Sequence, residues 1–143
     1  MRIIRMTMVS LLLLMIALPV YAGGRLKLYC STDIAWCELM TKEFEKRTGI
    51  KVGMTRASSG ETLAKIRAEK SNPKGDVWWG GTGDPHLQAA EEGLSQPYTS
   101  PKLGELHDWA KAPHKATGGK TVGIYLGALG FGYNKELLAK KGL

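Results

Sequence analysis

The sequence predicts an α/β fold in which helices cover a doubly wound, mostly parallel sheet. Between residues 26 and 94, short apolar or alternating segments take turns with helical segments in the order β-α-β-α-β-α, which is typical of strands joined by crossover helices. All three strand-to-helix junctions are rich in Ser, Thr, Gly and an acidic residue. Because such junctions lie together at the carboxyl ends of parallel strands, we expect one ligand-binding edge.

The first strand and helix have clear local signals. The segment LKLYC (26–30) alternates in polarity and is followed by STD, a good helix start. Trp36, Met40 and Phe44 recur every four residues, which predicts an amphipathic helix with these side chains on its apolar face. Gly49 is expected to end this helix.

The second strand and helix follow the same plan. IKVGMTR (50–56) predicts a strand. Ser58 and Glu61 have the spacing of a capping box at a helix start. Leu63 and Ile66 then form the apolar stripe of that helix.

The third strand is predicted at 76–79, a nearly continuous apolar run of the kind found in sheets covered on both faces. Asp84 as the N-cap and Pro85 as the first helical residue would begin the next helix. Its buried positions would be Leu87, Ala90 and Leu94.

The composition changes from Gln96 onward. Residues 96–120 are rich in Pro and Gly and predict a long surface connection. TVGIYLGALGFGYN (121–134) predicts a strand, a bend and another strand, and KELLAKKGL (135–143) begins a helix. No closing element follows, so we expect the chain to be cut short.

Residues 1–22 have the pattern of a secretory signal cut after Ala22: a basic start, a short apolar run and small residues before the cleavage site. A retained membrane anchor is the alternative. The net charge is +7, and it falls to +5 without this segment, which holds two basic residues and no acidic ones. Since the remaining basic residues form no dense cluster, the sequence gives little support for nucleic-acid binding.

Cys30 and Cys37 both lie in the exported part of the chain. A disulfide, two buried free thiols and a redox pair are the alternatives, and the redox pair is disfavoured because the spacing is not C-x-x-C. The oxidising compartment and the placement of the two residues at a strand end and a helix start lead us to predict a disulfide.

Motifs of catalysis are missing from the sequence. The three histidines have no metal-ligand spacing, no G-x-S-x-G elbow is present, and GGTGD (80–84) lacks the Lys-Ser/Thr of a phosphate-binding loop. We therefore expect no catalysis, no resident metal and no cofactor. The four tryptophans are interpreted as packing residues rather than ligand platforms.

Three ordered blocks of the sequence carry a family resemblance: residues 28–69, 73–98 and 127–143. They resemble the extracellular, periplasmic solute-binding proteins of ABC importers, in the group with ferric-iron, phosphonate and sugar-phosphate binders. The resemblance implies two α/β lobes that close around a small ligand and deliver it to a membrane permease. Residues 23–121 would form the first lobe, and 122–143 the crossing strands and the incomplete start of the second. We expect a periplasmic protein that is monomeric at full length.

The resemblance also implies that the junctions line the first lobe's side of the ligand cleft. The predicted ligand-binding residues are Ser31, Thr32, Ser58, Ser59, Gly60, Glu61, Gly80, Gly81, Thr82, Gly83, Asp84, Tyr125, Leu126 and Gly127.

Hydroxyl and N–H donors of this kind favour an anionic organic ligand, such as a phosphonate or sugar phosphate, over ferric iron. Asp33 stands where family iron binders often have His. Glu61 would be a metal ligand here only if iron were bound, and its capping role competes. The alternative function is an exported enzyme on the same architecture.

Overall fold

Three parallel strands form a sheet in the structure of this chain, a computed structural model that describes residues 23–128 and 130–142. The predicted signal segment and its cleavage site lie outside the described residues. The strands are β1 (Arg25–Cys30), β2 (Lys51–Arg56) and β3 (Val77–Trp79), and their order in the sheet is β2–β1–β3. The predicted α/β fold with a parallel sheet is confirmed.

The chain divides into two compact units. Of the described residues, the first unit contains 23–62 and 71–81 and therefore the whole sheet. The second contains 63–70 and the residues that follow Gly81.

The order of the strands places a topological switch point between β1 and β3. Strand β1 pairs with β2 along its full length, and Leu28–Cys30 also pair with Val77–Trp79 of β3. The chain therefore moves from β1 to one side of the sheet and then across to the other. Ligands of open α/β sheets bind beyond the carboxyl ends of the strands at such a reversal.

The core of the first unit lies under the carboxyl half of β1. Leu28, Tyr29 and Cys30 are buried, and Cys30 forms a disulfide with the buried Cys37. The predicted disulfide is thus confirmed. Four partly buried side chains pack against the cluster of Leu28, Cys30 and Cys37: Leu26, Val52, Met54 and Trp79.

Helix α1 (Ile34–Thr48) begins and ends where its caps predict. The carboxylate of Asp33 accepts a hydrogen bond from the Ala35 N–H at 2.9 Å. Gly49 adopts φ 72° and its N–H donates to the Glu45 carbonyl at 2.8 Å, the left-handed ending that glycine favours.

The predicted apolar face of α1 was wrong in one respect: its side chains are not buried. Trp36, Met40 and Phe44 are 51%, 48% and 37% exposed. The helix instead turns Cys37 inward through the disulfide, while Glu45 Oε1 accepts a hydrogen bond from the Val52 N–H at 2.8 Å. The disulfide and this hydrogen bond determine which side of the helix faces the sheet. The spacing of apolar residues could predict neither contact.

Helices α2 (Ser59–Ala68) and α3 (Gly83–Glu91) follow the second and third strands. The N-cap of α3 is Thr82, so the prediction of Asp84 as N-cap and Pro85 as first helical residue was wrong by two positions. Both residues fit within the first turn, because N–H groups there have no partner inside the helix and an acidic side chain is favoured by the dipole.

The predicted long surface connection at 96–120 was also wrong. It contains a 3-10 turn (Leu103–Glu105) and helix α4 (Asp108–Ala116), which includes Pro113 and buries Ala110. Proline normally marks the end of a helix. Here the helix continues past Pro113, whose carbonyl accepts hydrogen bonds from both the backbone N–H and the hydroxyl of Thr117.

The two strands predicted within 121–134 are not formed by the described residues of that segment. Gly123 instead donates its N–H to the Ala110 carbonyl of α4 at 2.9 Å. Repeated glycines weaken a strand, which accounts for the absence of the two predicted strands from the described part of this segment.

Helix α5 (Lys135–Lys140) follows as predicted, and its N-cap Asn134 accepts from the Leu137 N–H at 2.9 Å. Among the described residues, no helix combines the length and the apolar character needed to cross a membrane.

Candidate ligand-binding site

The carboxyl edge of the sheet brings the three junctions of the first unit together. Gly80 and Gly81 follow β3 with φ of 79° and 96°, conformations that side chains rarely adopt. A Cβ on Gly81 would collide with Ser59 Oγ and lie 2.9 Å from Ser31 Cβ. A Cβ on Gly80 would lie 3.0 Å from Thr32 Cβ. The two missing side chains are therefore what allows the junctions to approach each other.

The side chains of the second junction form the predicted capping box. The Ser58 N–H donates to Glu61 Oε2 at 2.8 Å, and the Glu61 N–H donates to Ser58 Oγ at 3.3 Å. Hydrogen bonding to Ser58 is the main cause that lowers the pKa of Glu61 below its ordinary range. These contacts favour the capping interpretation of Glu61 over an iron ligand.

Arg56 is a residue that the sequence interpretation missed. It is the last residue of β2, and its Nε donates to the Thr32 carbonyl at 3.1 Å. Its charge also helps to lower the pKa of Glu61. Its position at the end of a predicted strand, two residues before Ser58, could have identified it as a site residue. There it adds a fixed positive charge to a group of hydroxyl and N–H donors.

The remaining predicted positions belong to the second unit. Thr82 and Gly83 begin α3, and Asp84 lies in its first turn. Tyr125 is half-buried, whereas Leu126 is 72% exposed. A ligand-binding role for Thr82–Asp84 and Tyr125–Gly127 stays a prediction.

Acidic side chains near the site are occupied in helix capping rather than arranged around a cation. Asp33 caps α1 and Glu61 caps α2. Within 23–128 and 130–142, no group of three or more His, Cys, Asp or Glu side chains is arranged to hold a metal ion.

Comparison with known proteins identifies the family. The model of the family described as bacterial extracellular solute-binding protein matches residues 40–143. The chain belongs to this family. This solute-binding protein is 48% identical over 122 residues to an uncharacterised protein of Haemophilus influenzae, covering 85% of the chain and 35% of that relative.

Solved periplasmic binding proteins are similar to this solute-binding protein. P5PA is 42% identical with a TM-score of 0.74, over 84% of the chain and 38% of P5PA. AfuA from Actinobacillus pleuropneumoniae, solved with fructose 6-phosphate bound, is 46% identical with a TM-score of 0.59, over 61% of the chain and 27% of AfuA. Iron-bound HitA from Pseudomonas aeruginosa, at 23% identity and a TM-score of 0.58 over 61% of the chain and 28% of HitA, shares the fold. The solute-binding protein thus spans little more than a third of the Haemophilus relative and of P5PA.

Proposed function

We propose that this chain forms one wall of the ligand cleft in a periplasmic receptor of an ABC importer. The receptor captures a small organic anion that carries a phosphate or phosphonate group and delivers it to the permease in the inner membrane. It acts as a monomer at full length and performs no catalysis. The export pattern of residues 1–22 and the disulfide support a periplasmic location.

The observation that carries this proposal is the set of donors at the carboxyl edge of the sheet. Helix α2 begins at Ser59, beside Gly81 and Ser31. Arg56 lies at the end of the neighbouring strand, held by its hydrogen bond to the Thr32 carbonyl. A helix N-terminus, hydroxyl groups and a guanidinium supply N–H and O–H donors to phosphate oxygens.

Ferric iron fits this edge less well than a phosphate group does. A ferric ion needs oxygen anions directed at it, and the carboxylates of Asp33 and Glu61 accept hydrogen bonds from helix N–H groups. The similarity to AfuA, which was solved with fructose 6-phosphate, supports the same ligand class.

A thermal-shift panel on the chain tests the ligand class. Fructose 6-phosphate, 2-aminoethylphosphonate and ferric citrate are compared at equal concentrations, because a ligand that binds only the folded state raises the unfolding temperature. We expect stabilisation by at least one of the two phosphorus-containing anions. Stabilisation by ferric citrate alone would contradict the proposal.

Replacing Arg56 with Gln is expected to weaken binding of the stabilising anion by roughly tenfold, since a hydrogen bond to a charged group is lost. Titration calorimetry measures this change. Arg25→Gln is the matched control, because Arg25 begins β1 at the opposite end of the sheet. Equal affinities for the two variants would remove Arg56 from the site.

A further inference from the structure

Ser31 makes a set of hydrogen bonds that directs it into the protein rather than toward a ligand. Its backbone N–H donates to the Trp79 carbonyl at 3.0 Å. Its hydroxyl oxygen accepts a hydrogen bond from Trp78 Nε1 at 2.8 Å and lies 3.0 Å from Thr62 Oγ1. Ser31 is only 8% exposed and Thr62 only 1%.

The hydrogen-bonding capacity of the Ser31 hydroxyl is largely occupied by these contacts. A serine hydroxyl offers one proton and two acceptor sites, and the Trp indole is only a donor. Trp78 therefore occupies one acceptor site. The Thr62 hydroxyl occupies either the Ser31 proton or the second acceptor site.

The three residues come from three different elements at the carboxyl edge of the sheet. Ser31 directly follows β1, Thr62 lies in α2 and Trp78 lies in β3. The network thus ties the first junction to both neighbours, next to the close approach at Gly81. Thr32, the next residue along the chain, is half-buried and is left as the hydroxyl donor of this junction.

We propose that Trp78 and Thr62 are positioning residues: through the Ser31 hydroxyl they fix the first junction so that Thr32, and not Ser31, faces the ligand. The inference rests on the proposed function for the identity of the ligand. The fixed position of the junction is a property of the ligand-free chain and can be measured without any ligand.

The first experiment uses NMR on the isotope-labelled, ligand-free chain. The chain has four tryptophans and hence four indole N–H signals, and Trp78→Phe identifies the signal of Trp78 by its loss. We expect Ser31→Ala to shift this indole signal and to speed its hydrogen exchange. We also expect Trp78→Phe and Thr62→Val to shift the backbone amide signal of Thr32, and Thr62→Ser to restore it because the hydroxyl returns.

The second experiment measures the affinity for fructose 6-phosphate by calorimetry. Trp78→Phe keeps the ring but removes the N–H, and loss of one hydrogen bond in the network is expected to weaken binding about fivefold. Trp79→Phe is the matched control, because Trp79 packs against the core cluster and its indole is outside the network. Unfolding temperatures of all variants separate a loss of stability from a loss of affinity.

Two results would overturn the proposal. One is a Thr32 amide signal that Trp78→Phe and Thr62→Val leave unchanged. The other is weaker binding in Ser31→Ala with full affinity in Trp78→Phe and Thr62→Val, since Ser31 would then contact the ligand itself. Absence of binding of both fructose 6-phosphate and 2-aminoethylphosphonate by the unmodified chain would count against the proposed ligand class, while the NMR result would still decide the positioning role.

Discussion

Side chains at the carboxyl edge of the sheet differ in how much of their hydrogen-bonding capacity is still available for a ligand. Ser58 and Glu61 satisfy each other's backbone N–H groups, and Ser31 is bonded to Trp78 and Thr62. The first pairing could be predicted because its partners are three residues apart. The bond from Trp78 to Ser31 spans 47 positions, and no local pattern encodes it.

Glu61 gives a prediction about acid stability. Because hydrogen bonding lowers the pKa of its carboxyl group in the folded chain, its contribution to stability is complete above the ordinary glutamate pKa and is lost as the pH falls below roughly 4. We expect Glu61→Gln to have a lower unfolding temperature than the unmodified chain at neutral pH, with the difference shrinking in acid. Calorimetric scans across this pH range measure it.

The control for this prediction is Glu92→Gln in the second unit. Arg67 lowers the pKa of Glu92 through a side-chain hydrogen bond. The unfolding temperature of this variant should therefore also be below that of the unmodified chain at neutral pH, with a smaller difference in acid. Its affinity for fructose 6-phosphate should be unchanged. A difference between Glu61→Gln and the unmodified chain that stays constant with pH would contradict the assigned cause.

The ends of α1 were easier to predict than its buried face. Asp33 and Gly49 act through neighbours within four residues, so the local sequence is enough to predict where α1 begins and ends. The buried side of α1 depends instead on the disulfide from Cys37 to Cys30 and on the hydrogen bond from Val52 of β2 to Glu45, and both partner residues lie outside the helix. Helix α4 was missed because it contains Pro113, and a proline in the sequence is usually interpreted as the end of a helix or as part of a loop.

The disulfide that joins β1 to α1 leads to a prediction about the stability of the chain. It closes a loop whose ends are seven positions apart, and for that length the chain-entropy model gives about 2.5 kcal/mol, or roughly 10 °C in unfolding temperature. We expect a loss of this size when both cysteines are replaced by Ala. Scanning calorimetry measures it.

Unfolding scans with and without a reducing agent separate the cross-link from the change of side chains. The reduced chain should lose a similar amount, whereas the Ala variant should not respond to the reductant. A double variant that unfolds within the error of the unmodified chain would show that the disulfide contributes little to stability.

The sheet as a whole has an order that the sequence did not encode locally. A parallel sheet followed from the alternation of strands and helices, but the order β2–β1–β3 depends on pairing between residues about 50 positions apart. In this order β3 has β1 on one side, and no further strand among the described residues pairs with its other edge. Val77 on this strand is 43% exposed.

An open edge strand favours association between copies of the chain. We expect the molecular mass measured by sedimentation velocity to rise with concentration, and Val77→Lys to reduce the rise because a charge on an edge strand opposes strand pairing. Val122→Lys is the control, since Val122 is similarly exposed but lies outside any strand. A chain that stays monomeric at all concentrations, or equal behaviour of the two variants, would contradict this expectation.

The four tryptophans fall into a more exposed and a less exposed pair, which fluorescence quenching can distinguish. Trp36 and Trp109 are 51% and 39% exposed, so an ionic quencher such as iodide collides with their rings. Trp78 and Trp79 are less accessible, and the indole of Trp78 is bonded directly at the junction beside the candidate site. With iodide present, the remaining emission comes mainly from these two residues. We expect a ligand bound at the candidate site to change this emission, so the natural chain could report binding without an added dye.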